Sequence, residues 1–192
     1  KEVIFHSRSR TKTVYFVYSG EVMLYNLTKH GNRKVIFILG KGQLLNQSIV
    51  SKKPNALFCE AVCPVKVIEI AEEQFLQLME QSHALTRAVL REYERNLWRM
   101  GHQLKNTTGN MQMERKIAAK LWKLGRDFGV DAEDGVMIDI DLTITLMADL
   151  VGAPRENVSR ACKVLTDRGL IRYGNKRFIL TDSDGLAEFY KM

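Results

Sequence analysis

Residues 143–180 read TITLMADLVGAPRENVSRACKVLTDRGLIRYGNKRFIL, and this stretch decides the fold of the C-terminal part of the chain. Leu146, Met147 and Leu150 give a short helix its apolar face. Gly152 permits a tight left-handed turn, and Pro154 suits the first turn of a second helix. In that second helix Val158, Ala161, Cys162 and Leu165 form an inner stripe, so Arg155, Glu156, Ser159, Arg160 and Lys163 face outward. Two arginines, a glutamate and a serine on exposed N-terminal turns supply what is needed to read base edges in a major groove, Arg bidentate to guanine and Glu accepting from cytosine N4. Residues 169–180 then form two strands joined by a basic turn at Gly174-Asn175, a wing. Thr143 and Thr145 at the entry to the first helix, with Lys176 and Arg177 at the wing tip, are suited to phosphate contacts that set register without reading sequence.

Working upstream, Val136 to Ile140 alternates like a strand and Gly129 to Gly135 reads as a polar, acidic loop. Residues 112–127 make an amphipathic helix on Ile117, Ala118, Leu121, Trp122 and Leu124. Between Ala84 and Met111 the apolar residues follow a heptad rule. Leu90, Leu97, Leu104 and Met111 recur every seven residues, with Tyr93, Met100 and Thr107 three after each, forming a seam about 33 Å long at 1.5 Å per residue. Such a seam fits a parallel homodimer, while a second stripe, Leu85 and Val89, packs the helix on its own N-terminal domain. Arg87, Arg91, Arg95 and Arg99 fall off the seam as a solvated face partly paired with Glu92 and Glu94.

From Val14 to Ile70 short β-rich runs alternate with turn signals: Val14 to Tyr18, Glu21 to Leu27, Lys34 to Leu39, Ala56 to Val62, and Val65 to Ile70. With no helical periodicity between them, they read as an antiparallel barrel or roll. A helix opens at Ala71-Glu72-Glu73, with Phe75, Leu76 and Met79 on its apolar side.

The chain has 192 residues, 45% of them hydrophobic and 27% charged, which excludes disordered and fibrous classes. Apolar runs such as Val35 to Leu39 fall far short of the about 20 residues a membrane span needs. Cys59, Cys63 and Cys162 show no zinc or disulfide spacing, and a reducing cytoplasm is the default expectation. The sequence begins at Lys1 without a signal peptide, and part of a native N-terminus is expected to be missing. Net charge is +7. Residues 1–110 carry 16 basic and 9 acidic side chains and residues 111–192 carry 13 of each, so the whole excess lies in the first half. The compact basic patch over residues 153–181 is nevertheless the better nucleic-acid candidate, because its cations stand on a helix, turn, helix and wing in order.

The segments Leu142 to Gly152, Arg155-Glu156-x-Val158-Ser159-Arg160 and Leu165 to Ile171 resemble the winged helix of the Crp/Fnr transcription regulators. The resemblance extends over nearly the whole chain. It implies an α+β fold: an N-terminal antiparallel β-roll (a double-stranded β-helix of the cyclic-nucleotide-binding type) over residues 1–82, a dimerisation helix over 83–110 and a winged helix-turn-helix over 111–192. It further implies a homodimer on a palindromic promoter site, RNA polymerase as a partner, and an effector sensed by the roll. Arg155, Glu156 and Arg160 match the base-reading residues of the catabolite activator branch. Glu156, Ser159 and Arg160 match those of the fumarate-nitrate branch, so half-sites like TGTGA or TTGAT are both open. The positions that hold ribose and cyclic phosphate in cyclic AMP sensors read Asn46-Gln47 and Asn55-Ala56 here, and the polar pair that meets adenine is replaced by Gly101-His102. Cyclic AMP is therefore not expected to be the effector, whose identity stays open. The effector pocket is expected around Asn46, Gln47, Asn55, Ala56 and His102. A second reading makes the roll a ligand-binding module that regulates a partner enzyme.

Weaker signals point elsewhere. Val35 to Gly42 with Glu60 resembles a dinucleotide fingerprint, but the third glycine position is Leu45 and no amphipathic helix fits before Ala56. Cys59 and Cys63 read as buried small hydrophobes. His6 and His30 fall in loops, and His102 could ligate haem or sense protons near the seam. No paired carboxylates, activated nucleophile or metal spacing marks an enzyme.

Overall fold

The computed structural model describes residues 2–107 and 111–191, with side chains described up to Gln103 in the first segment. The chain divides into two compact units, Lys1–Lys105 and Asn106–Met192.

The first unit contains strands β1 (Val3–Phe5), β2 (Thr13–Ser19), β3 (Val22–Leu27), β4 (Arg33–Leu39), β5 (Phe58–Ala61) and β6 (Lys66–Ala71). They form a four-stranded sheet in the order β1-β5-β3-β4 and a two-stranded sheet β2-β6, antiparallel throughout. Apolar residues from both sheets meet inside: Phe5, Val17, Val22, Leu24, Phe37, Leu39, Leu45 and Cys59 are all buried. Each large aliphatic side chain so buried contributes about 1.5–3 kcal/mol. Burial pushes the Cys59 thiol up to about 12, which leaves it a packing group. The short β1, paired with β5, has no counterpart among the strands expected from the sequence.

Helix α1 (Glu72–Gln81) follows β6, and Phe75 seals a second cluster with Val14, Leu44, Ile49 and Val89. Helix α2 (His83–Thr107) closes on the same cluster through Val89 and Leu85, the stripe expected to do so. Polar contacts extend the fit, since Gln103 donates to the Ile36 carbonyl at 2.8 Å and Gln43 donates to Glu92 at 3.3 Å.

The second unit contains helix α3 (Met113–Phe128), strands β7 (Gly129–Ala132) and β8 (Gly135–Ile138), helices α4 (Ile144–Val151) and α5 (Arg155–Asp167), strands β9 (Ile171–Gly174) and β10 (Arg177–Leu180), and helix α6 (Ser183–Lys191). The sheet order is β7-β8-β10-β9. Residues 129–135 therefore form an edge strand and a hairpin, where the sequence pattern predicts a loop. Val130 faces Met137 and Asp131 faces Val136, and a Cβ at Gly135 would run into the Leu180 carbonyl oxygen. Helix α6, also without a counterpart among the expected elements, starts where the Asp182 carboxylate accepts from the Gly185 amide at 2.8 Å, and it buries Leu186 and Ala187. No helix among the described residues is long and apolar enough to cross a membrane.

Candidate nucleic-acid interface

The candidate interface comprises α4, α5 and the β9-β10 wing. Thr143 caps α4 by accepting from the Leu146 amide at 3.1 Å, and Leu146, Met147 and Leu150 are buried. The helix stops at Gly152, whose φ of 71° is left-handed and whose amide donates to the Ala148 carbonyl at 2.8 Å. Pro154 then stands as the N-cap of α5, which buries Val158, Ala161, Cys162 and Leu165, the four residues of the expected stripe. Burial pushes the Cys162 thiol up to about 11, so it fills space as a small apolar group.

That burial fixes the rotation of α5 and leaves Arg155, Glu156, Ser159, Arg160 and Lys163 exposed. Arg160 donates to the Asn157 side-chain oxygen at 2.5 Å. Asn157 is absent from the residues expected at this face, although its place three residues before Arg160 on the same side of the helix is a signal for such a pair.

The wing turns at Asn175 and Lys176, both left-handed at φ 49° and 61°, as a tight hairpin of matching twist requires. Its tip is tied to the entry of α4, since the Leu142 amide donates to the Lys176 carbonyl at 2.7 Å. This brings Thr143 near Lys176 in one framework. Thr145 and Lys176 are exposed and Thr143 is half-buried. Arg177 is paired with Asp139 and reaches Asp141 at 4.0 Å, so a phosphate contact there requires exchange of a carboxylate for a phosphate. Arg172 is likewise paired with Asp134.

On α2, Leu90 (55%), Leu97 (71%) and Met100 (45%) are exposed, and Trp98 stands out beside them. Tyr93 departs from the seam expected for it. It packs on the Phe75 cluster, its hydroxyl donates to the Asn46 carbonyl at 3.3 Å, and burial pushes the phenol up to about 12. Met111 is half-buried, and the side chain of Leu104 lies outside the described residues.

Of the residues expected around an effector, Asn46, Gln47, Asn55 and Ala56 lie together. The Asn46 side chain accepts from the Tyr15 amide at 2.8 Å and donates to the Thr13 carbonyl at 2.9 Å. Gln47 accepts from the amides of Ala56 and Leu57 at 3.2 and 3.3 Å. These amides bind the roll to itself. Asn55 is buried with no partner on Nδ2 among the described residues, and His102, exposed on α2, lies against Trp98 with ring centroids 3.9 Å apart and planes tilted by 47°.

Comparison with known proteins agrees with this architecture. Residues 1–82 match the family model of the cyclic nucleotide-binding domain, and residues 115–189 match that of the Crp-like helix-turn-helix domain. The chain is 25% identical over 175 residues to the CRP-like cAMP-activated global transcriptional regulator of Mycobacterium tuberculosis, covering 91% of this chain and 78% of that protein. It is 25% identical over 179 residues to the global nitrogen regulator of a Nostoc species, covering 92% and 80%. In fold it is similar to FixK2 from Bradyrhizobium japonicum (TM-score 0.82, 20% identity, 97% of this chain and 91% of that one). A CooA mutant from Carboxydothermus hydrogenoformans is also similar (TM-score 0.83, 18% identity, 99% and 84%).

Proposed function

From the premise that this chain belongs to the Crp/Fnr family of transcription regulators, we propose that two copies pair along α2 and set two α5 helices into successive major grooves of a palindromic promoter site, about 34 Å apart. The observation that carries this reading is the face of α5. Arg155, Glu156, Ser159 and Arg160 are exposed on a helix whose opposite side is fully buried. Thr143, Thr145 and Lys176 hold phosphates around it, and Arg177 joins them on leaving Asp139. In this reading residues 1–82 sense an effector, 83–110 dimerise and 111–192 read DNA, in the cytoplasm and with RNA polymerase as the protein partner.

The effector acts by favouring one orientation of the two reading units over another. It is not cyclic AMP. Where a ribose-holding carboxylate and a phosphate-holding arginine would stand, the chain has Gln47 and Asn55, and Gln47 is already engaged by loop amides. Titration calorimetry with cyclic AMP is expected to show no micromolar binding, and a micromolar isotherm refutes this part. For the main reading, duplexes selected from a random pool by the full chain should converge on an inverted repeat with TGTGA-like or TTGAT-like half-sites. A pool that stays random after repeated selection defeats it.

A further inference from the structure

The segment Ile138 to Leu142 alternates, and burial sets its two faces. Ile138, Ile140 and Leu142 are buried, so Asp139 and Asp141 stand together on the outer face. The sheet then chooses their neighbour. In the antiparallel pair of β8 and β10, Met137 faces Ile179 and Val136 faces Leu180, and two residues further along that register Asp139 falls opposite Arg177. Asp139 forms an ion pair with Arg177, and Asp141 reaches the same guanidinium at 4.0 Å. Backbone bonds fix the placement: the Asp139 amide donates to the Phe128 carbonyl at 2.8 Å and the Leu142 amide to the Lys176 carbonyl at 2.7 Å.

Two carboxylates on one guanidinium are more than pairing requires. Asp139 and Asp141 repel each other, and their side chains are 52% and 49% exposed. Exposed ion pairs of this kind add little to stability, so holding the fold together does not account for the second carboxylate. The pairing recurs on the neighbouring strand, where Asp134 holds Arg172. Arg172, Lys176 and Arg177 of the wing are thus matched in number by Asp134, Asp139 and Asp141. Of these three cations Lys176 alone makes no ion pair among the described residues.

The arrangement changes what a phosphate contact from Arg177 is worth. To meet a phosphate the guanidinium gives up its carboxylates, and these, left beside the duplex, take up cations from solution. That uptake offsets the counterions released from the phosphate. The wing then adds little net attraction to any duplex, while the face of α5 that meets base edges is untouched. We infer that Asp139 and Asp141 are positioning residues: they hold Arg177 on the protein and thereby limit the sequence-independent part of DNA binding. This rests on the reading above that the wing meets DNA phosphates.

Fluorescence anisotropy of the full chain over a salt series tests it, on the selected site and on a random duplex of equal length. The isosteric variant D139N/D141N should bind both duplexes more tightly by the same factor, roughly three- to tenfold at about 50 mM salt. Its slope of log Kobs against log salt should steepen by about 0.9 for each wing in contact, one phosphate apiece. Preference for the selected site should match wild type, which also shows that the reading unit is folded. D139E/D141E, which keeps both charges, should retain the wild-type slope. In an R177Q background the two Asn substitutions should steepen the slope by less than half as much, since there is no guanidinium to release. Weaker binding or an unchanged slope in D139N/D141N overturns the inference, because breaking a merely structural ion pair loosens the wing. Equal steepening with and without Arg177 also overturns it, since general repulsion between carboxylates and DNA then suffices. Failure of the α5 reading is separate: selection would yield no consensus, while the slopes on the random duplex still decide the case for the wing.

Discussion

Helices α2 and α5 both carry arginines along an exposed face, and they differ in what those arginines touch. On α2 Arg95 and Arg99 spend their charge within the fold, while Arg91 rests on a neutral backbone carbonyl. Arg95 grips both oxygens of Glu92 at 2.7 and 2.5 Å, Arg99 lies 4.9 Å over the Phe37 ring, and Arg91 donates to the Arg87 carbonyl at 3.3 Å. On α5, Arg155 is exposed at the first residue and, among the described residues, Arg160 meets the side-chain amide oxygen of Asn157. A carboxylate partner cancels a guanidinium charge, whereas an amide oxygen orients it and leaves the charge for an incoming acceptor. Counting arginines therefore does not locate a reading surface; the chemistry of their partners does.

The largest effect should come from the exposed apolar strip of α2. Leu97→Glu places a charge at a position that is 71% exposed in the single chain, so the fold should survive, while pairing of two copies along the strip should not. Mass photometry should report monomers, and binding to the inverted repeat should weaken roughly 10²–10⁴-fold as the two half-sites stop acting together. A variant that stays dimeric moves the seam elsewhere. Next in size, Arg160→Ala should cost about 1–3 kcal/mol on the selected site and relax preference at one base pair, with binding to random duplex nearly unchanged. Arg95→Ala should change neither DNA quantity and should shift stability by under about 1 kcal/mol, because its ion pair is exposed. Equal losses from the two substitutions would break the contrast between the helices.

What is legible in the sequence follows from periodicity. The apolar stripe of α5, the glycine turn before it and the wing all repeat on the 3.6- or 2-residue spacing that burial enforces, and each stands where that spacing predicts. The roll is readable for the same reason, apart from β1, whose three residues are too few to show alternation. The hairpin at 129–135 escapes such reading because β7 is an edge strand with Gly129, Val130 and Asp131 exposed, so no apolar face marks it. Helix α6 has a readable start in Thr181-Asp182-Ser183-Asp184 and an apolar pair in Leu186 and Ala187, a capping signal overshadowed by the stronger motif before it. Tyr93 shows the limit of heptad spacing: Leu90 and Leu97 point away from the roll, while Tyr93, one turn along, lies close enough to it to be drawn into the Phe75 cluster. Ion pairs such as Arg177 with Asp139 join residues 38 apart in the chain, and no local pattern announces them.

The finest test of the comparison lies in the residue that orients Arg160. Removing the amide in Asn157→Ala frees the guanidinium to sample other rotamers, and the expected loss is the net worth of one exposed hydrogen bond, about 0.5–1 kcal/mol on the selected site and nothing on random duplex. Asn157→Asp keeps an oxygen in place but makes it the kind of partner that Glu92 is for Arg95. The charge of Arg160 would then be partly cancelled and a carboxylate would approach the phosphates, so Asp should bind worse than Ala on both duplexes. The ordering wild type, then Ala, then Asp, measured by anisotropy at fixed salt, is what an orienting neutral partner requires. If Asp binds the selected site as tightly as wild type, oxygen geometry alone matters, and the distinction drawn between the arginines of α2 and α5 is wrong.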